Sequence, residues 1–430
     1  MANSSLRSEP VVEVRALVES DLAAATRVMQ RAFGTFLGAP DPDRFMTDRN
    51  YVRSRWRADP SAALTAVVDG KVVGSNLVTA WGSVGFFGPL TVAPEWWNRG
   101  VASRLLEPTL ALFTAWKTAH TGLYTFPHSP RHVGLYQKFG FSPRFLTAVM
   151  SRPVDGHDDA KAPDLAASVG SSEGSGVLEQ CRTLTHAIHD GLDLEREIRA
   201  VATQQLGETV LVWDGDRLAA FAVCHLGADT EAGAGGCYVK FGAARPGPGV
   251  SDRFDRLLDA CVGLARTRGL SRVDAGISLA REEAYRAMRR AGFRTEIQGV
   301  CMHRPNEPAY HRPGVYAIDD WRGRRDRCRY RQPQPTSSRV MQHAGDFVPR
   351  GHRWLGADAG HRQGRGGIGK SGRVDQICPV SHSRGKRTGK GVTGGRRVDR
   401  LDHVPDNDGV SLPSRHEHTG RAQRHDGRAH

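Results

Sequence analysis

One run of local signals occurs twice along this chain of 430 residues, and that duplication limits the folds open to it. In the first copy, Ala63–Val68 and Val72–Thr79 flank Asp69-Gly70, a pair that favours a tight hairpin. In the second, Thr209–Trp213 and Arg217–Cys224 flank Asp214-Gly215. Each hairpin leads to a further strand and then a long amphipathic helix, Gly100–Lys117 or Ser251–Arg266. A short strand (Leu123–Phe126; Val273–Ile277), a second helix and a Gly-Phe pair (Gly140-Phe141; Gly292-Phe293) follow in each. A repeat on the order of 100 residues is a duplicated domain, not a solenoid. Hairpins mixed with crossover helices predict an α/β fold with a mixed sheet and helices on its faces.

The copies set the expected boundaries. Residues 11–153 form a first domain and residues 177–322 a second, joined by a linker at 154–176 that is rich in Gly, Ser, Asp and Ala. Residues 1–10 are expected to be disordered, as is a tail at 323–430 dense in Arg, Gly and His. Charge separates the tail from the rest. It holds 23 of the 60 Lys and Arg against 10 of the 46 Asp and Glu, leaving a nearly neutral 37 against 36 in residues 1–322. The basic balance therefore does not make the patterned body a nucleic-acid-binding enzyme; only loose, salt-sensitive binding by the tail is expected. No apolar run is long enough to span a bilayer, and Met1–Pro10 lacks a signal-peptide core. Seven scattered cysteines without a CxxC pair fit a reducing cytoplasm, and no metal is expected.

The most specific stretch runs from Gly88 to Leu106. An apolar strand ends at Pro94, a turn follows, and a helix opens near Arg99 or Gly100. First-turn amides of a helix have no internal partner, and the helix dipole favours anions there. Gly100 and Ala102 leave that turn bare, and Arg99 adds positive charge, which is the logic of a phosphate site. An isolated Arg-Gly-x-Ala is more often ordinary packing, so context has to decide. About thirty residues on, Ser129-Pro130 makes a good helix start and Gly140 a good stop around Leu135-Tyr136-Gln137-Lys138-Phe139-Gly140-Phe141.

Together these residues resemble the GNAT superfamily of N-acyltransferases. Val92-Ala93-Pro94 followed by Trp97-Asn98-Arg99-Gly100-Val101-Ala102 is similar to its acetyl-coenzyme-A motif, and Leu135–Phe141 to its Leu-Tyr-x-Lys-x-Gly-Phe signature. Trp97 departs from the usual Gln or Arg, and Pro108 falls inside the helix, where a kink near Arg104 is expected. The resemblance implies two tandem GNAT-like domains and acetyl-coenzyme A as acyl donor. It implies a donor site built from Leu90, Thr91, Val92, Trp97, Asn98, Arg99, Gly100, Val101, Ala102 and Ser103. A neutral amine would attack the thioester, and Tyr136 matches the family's usual general acid; His128 is a weaker catalytic candidate. No base is obvious, since Ser83–Val92 carries no Asp or Glu. The acceptor, a small-molecule or peptide amine, is not readable. Asp41, Asp43 and Asp48 are candidates for lining its cleft, or equally a solvated face.

The second copy reads as degenerate. Met288 stands where Tyr136 does, and Pro246 and Pro248 remove amide donors from its phosphate turn, Ala244–Gly249. A duplicated fold kept for packing, dimerisation or cleft walls is the expectation. Cys301 and His303 alternate on a probable strand, but two ligands do not make a metal site. In the tail, Gly364–Ser371 matches a phosphate-loop pattern without the strand and helix such a loop needs, so nucleotide hydrolysis is rejected. The reading is thus an acetyl-coenzyme-A-dependent N-acetyltransferase, with homo-oligomerisation open. The alternative is an inert acyl-coenzyme-A-binding module.

Overall fold

A computed structural model describes residues 11–155, 162–166 and 172–319. The expectations for the N-terminus, the tail and its phosphate-loop pattern lie outside these residues.

The first half contains β1 (Glu13–Ala16), α1 (Leu22–Leu37), α2 (Tyr51–Ala58), β2 (Ala63–Val68), β3 (Lys71–Trp81), β4 (Val84–Phe87) and β5 (Thr91–Val92). It continues with α3 (Val101–Ala115), β6 (His120–Thr125), α4 (Pro130–Lys138) and β7 (Ser142–Pro153). The second half contains β8 (Asp164–Leu165), α5 (Ser172–Ile188), α6 (Glu195–Thr203), β9 (Gly207–Asp214), β10 (Arg217–Leu226) and β11 (Gly236–Ala244). After it come α7 (Val250–Thr267), β12 (Arg272–Ser278), α8 (Glu282–Arg290), β13 (Arg294–Arg304) and β14 (Ala317–Ile318).

Both predicted hairpins form. Asp69 and Gly70 turn the first with positive φ, joining Val68 to Lys71. In the second, Asp214 stays in the strand opposite Arg217 and the turn moves on to Gly215-Asp216. Arg253 and Arg256 of α7 both bind the Asp214 carboxylate, which holds it in the ladder. α5 opens at Ser172, inside the stretch that reads as a linker. Its apolar residues Leu178, Cys181, Leu184 and Ile188 fall on one buried face, and that burial outweighs the helix-poor Gly and Ser ahead of them. α3 runs through Pro108 from Val101 to Ala115. The Thr109 hydroxyl donates to the Leu105 carbonyl at 2.7 Å beside that proline.

The strands join in one continuous sheet, in the order β1-β2-β3-β4-β6-β13-β7-β12-β11-β10-β9-β8. The last long strand of each half has crossed over. β13 lies antiparallel between β6 and β7, while β7 pairs with β12. Cores cover both faces of the sheet. Leu105, Leu106 and Phe113 of α3 pack with Phe87, Tyr136 and Phe141, and Phe254, Leu257, Leu258 and Val262 of α7 pack with Met288 and Phe293. A third core mixes the halves, setting Trp81, Val84 and Phe86 against Leu184, Leu192, Phe221 and Phe241.

Candidate active site

In the first half, the parallel pairing of β4 with β6 runs from Val84–His120 to Phe86–Gly122. Beyond it the strands part. The chain steps away at Gly88-Pro89, and β5 pairs instead with β3, through Ser75–Thr91 and Gly74–Val92. β6 continues to Thr125. Between the parted strands lies a cavity of about 990 Å³, lined by Phe87–Val92 on one side and Leu123–Phe126 on the other.

The start of α3 forms one end of this cavity. Gly100 precedes the helix with φ of 75°, a left-handed conformation that costs a residue with Cβ, and an added Cβ there would meet only open space. No side chain among the described residues caps the helix. The N–H groups of its first turn therefore keep their donor capacity at a bare surface, which suits an anion. Asn98, Gly100, Val101, Ala102 and Ser103 line the cavity, and so do Leu90, Thr91, Val92 and Trp97. Trp97 donates its indole N–H to the Val92 carbonyl at 2.7 Å, so the residue that departs from the familiar motif closes the turn. Arg99 lies outside the lining, exposed, with its guanidinium 4.9 Å from the centre of the Trp96 ring. Arg131 and Lys138 of α4 join the lining and supply cationic side chains that the motif alone did not single out.

Ser129 and Pro130 open α4 as expected, the serine hydroxyl accepting from the His132 amide at 3.4 Å. Tyr136 of this helix is buried, packs on Phe87 and lines the cavity. Burial pushes its phenol well above the usual value near 10, so it holds its proton at neutral pH. His128 is exposed, stacks on Phe36 and is not part of the lining.

The second half closes the other end. Arg55, Trp81, Phe86 and Tyr124 meet Glu197, Lys240 and Asp319 there. Glu197 accepts from the Trp81 indole at 3.0 Å and lies 2.7 Å from the Lys240 ammonium. Burial pushes the Glu197 carboxyl up, but Lys240, Trp81 and Arg55 more than offset it and hold it at about 2. Lys240 also meets Glu231 at 3.2 Å, and Arg55 grips Glu231 through two nitrogens. These carboxylates are therefore spent on ion pairs. Asp48, a sequence candidate for the acceptor cleft, instead accepts from the Ala234 amide at 2.7 Å, and neither Asp41 nor Asp43 lines the cavity. Tertiary folding brings Glu197 and Lys240 to the site from positions that carry no local motif.

The matching place in the second half is filled. β11 and β12 pair in parallel from Gly236–Arg272 to Val239–Ala275, then part as β4 and β6 do. Here β14 pairs antiparallel with β11, Ile318 opposite Gly242 and Ala317 opposite Ala243. Tyr316 and Ile318 pack into the core with Met288, which is fully buried. The buried Arg281 anchors this segment. It donates to the Ala317 carbonyl at 2.9 Å and pairs with Asp319 at 2.6 and 2.8 Å. Gly249 repeats the left-handed approach to α7 with φ of 77°, but Asp252 sits in that helix's first turn, where it disfavours a second anion.

Residues 25–141 match a family profile described as the acetyltransferase (GNAT) family. No curated protein matches the chain. Among solved structures, a candidate acetyltransferase from Pyrococcus horikoshii is 14% identical, with 72% of this chain and 94% of that one covered and a TM-score of 0.52. A GCN5-related N-acetyltransferase from Sphaerobacter thermophilus is 18% identical, with 68% and 95% covered and a TM-score of 0.47. The first of these shows the fold. This is a mixed α/β chain with a GNAT-like sheet. The profile match supports acetyl transfer from an acyl-coenzyme A in general, and its span, 25–141, contains the parted strands, the start of α3 and Tyr136.

Proposed function

We propose that the chain is an acetyl-coenzyme-A-dependent N-acetyltransferase built from two GNAT-like halves, the first catalytic and the second degenerate, working in the cytoplasm. The observation that carries this reading is the uncapped start of α3 opening into the cavity between the parted strands. The diphosphate of the donor lies on the amides of residues 101–103, with Arg131 and Lys138 beside it. The pantetheine arm then follows Leu90–Val92, whose backbone leaves the β4 ladder at that point. The thioester arrives between the parted strands, near Tyr136.

A neutral primary amine attacks the thioester carbonyl, the C–S bond breaks, and the leaving thiolate takes a proton from Tyr136. Burial keeps that phenol protonated, and contact in a closed site offsets the unfavourable difference between a thiol near 8.5 and a weaker acid. The amine's own proton leaves through water, because Glu197 and Asp319 are held in ion pairs, and a proton returned from water restores the Tyr136 phenol. Trp81, Phe86 and Tyr124 give the acceptor end an aromatic wall, which suits an amine on an apolar or aromatic body.

Free-thiol release from acetyl-coenzyme A tests this with a panel of aromatic and aliphatic amines, aminoglycosides, peptides and amino acids. Amine-dependent release is expected with at least one of them. Donor binding without release for any amine would leave the chain an acyl-coenzyme-A-binding module.

A further inference from the structure

A second cluster of chemistry-bearing side chains lies where the exchanged strand β13 meets β6. Cys301 and His303 alternate on β13, opposite Tyr124 and Gly122 of β6, and so share a face. The segment after β13 returns His311 to them, its ring 4.6 Å from that of His303 and stacked on Phe145. One ligand atom from each of Cys301, His303 and His311 falls within 4.8 Å of the others, and all three residues are buried.

The hydrogen bonds around the rings orient them. His303 Nδ1 lies 2.8 Å from the Glu307 carbonyl, which only accepts, so Nδ1 carries the proton and Nε2 keeps its lone pair. That Nε2 is buried with no hydrogen-bond partner among the described residues. His311 turns Nε2 toward Asp319 at 3.6 Å and Nδ1 toward Cys301 Sγ at 4.0 Å. A metal-bound histidine commonly has its other nitrogen held by a carbonyl or carboxylate in this way. A buried lone pair without a partner is otherwise unfavourable. His120 of β6 brings another Nε2 that is buried with no hydrogen-bond partner among the described residues, its ring 4.6 Å from that of His303.

We infer that Cys301 Sγ, His303 Nε2 and His311 Nδ1 bind one divalent transition-metal ion of zinc type. Ligand atoms around such an ion stand roughly 3.3–3.7 Å apart, given bond lengths of about 2.0–2.3 Å, so side-chain shifts of under about 1 Å complete the site. A thiolate with imidazoles selects zinc over magnesium or calcium. Cys301 releases its proton to solvent as the sulfur–metal bond forms. The neighbouring Arg281 charge is balanced by Asp319. The ion would tie β13 to the segment that ends in β14, and so fasten the plug of the second half.

Cobalt(II) chloride titrated into the full chain, stripped beforehand with chelator, tests the site, together with the zinc retained after gel filtration. Wild type is expected to show a thiolate-to-cobalt charge-transfer band and to keep one more equivalent of zinc than C301S. The H311N variant, which leaves the thiol in place, is expected to lose the same equivalent and the tetrahedral cobalt spectrum. A missing band, or a band and zinc content equal in wild type and both variants, would overturn the assignment and place any binding elsewhere in the chain.

Discussion

The two halves carry the same wedge and treat it oppositely. In the first, β4 and β6 part after Phe86–Gly122 and leave a cavity that ends on an uncapped helix. In the second, β11 and β12 part after Val239–Ala275, but β14 fills the gap and Arg281 with Asp319 locks it. Both helices start from a left-handed glycine, so that feature alone does not make a site. What differs is the gap between the parted strands, open in one half and taken by β14 in the other, and the acidic Asp252 in the first turn of α7. The second half still contributes, because its Glu197 and Lys240 form part of the cavity wall of the other.

Substitutions sharpen the contrast. Arg281→Met strands the buried Asp319 carboxylate, and a loss of about 3–5 kcal/mol is expected in denaturant unfolding. A change below about 1 kcal/mol would mean that the plug is held by apolar packing alone. Tyr136→Phe should lower kcat about 100-fold while the KM for acetyl-coenzyme A stays nearly constant. The matching change in the second half, Met288→Leu, conserves volume and should leave turnover unaltered. Equal turnover in Tyr136→Phe would remove the phenol from the mechanism.

The smallest effect concerns the cavity wall. Glu197 is held at about 2 in the fold, below its usual 4.5, so the folded state resists protonation more than the unfolded chain. Its stabilising contribution is complete above about pH 4.5 and fades as pH falls toward 2. Acid unfolding of Glu197→Gln should show a shallower slope across that window than wild type; an identical slope would show that the pairing with Lys240 carries no linkage.

Much of the first half was legible because its signals are local. Asp69-Gly70, the small residues from Gly100 to Ala102, and Ser129-Pro130 each set their own backbone through turn or capping chemistry. The exchange of β7 and β13 was not legible, since neither strand carries a local signal for its neighbour, which tertiary packing selects. Ala317 and Ile318 gave too short a signal to read as a strand, and only the parted β11 and β12 give them a place. Glu197 and Lys240 likewise carry no motif; on a helix and a strand they read as ordinary charged positions until folding buries them together. The Cys301 and His303 alternation was visible, but the third ligand, His311, lies beyond the end of the strand and returns through a loop.

Isothermal titration of acetyl-coenzyme A into wild type, Gly100→Glu and Gly249→Glu tests the contrast most directly. Each variant places a carboxylate at a helix start and strains a left-handed glycine, so both pay a similar backbone cost of about 1 kcal/mol. One molecule per chain should bind wild type and Gly249→Glu alike, while Gly100→Glu weakens binding about 100-fold or more. Two bound molecules per chain, or affinity undiminished by Gly100→Glu, would contradict the assignment of the open wedge as the donor site.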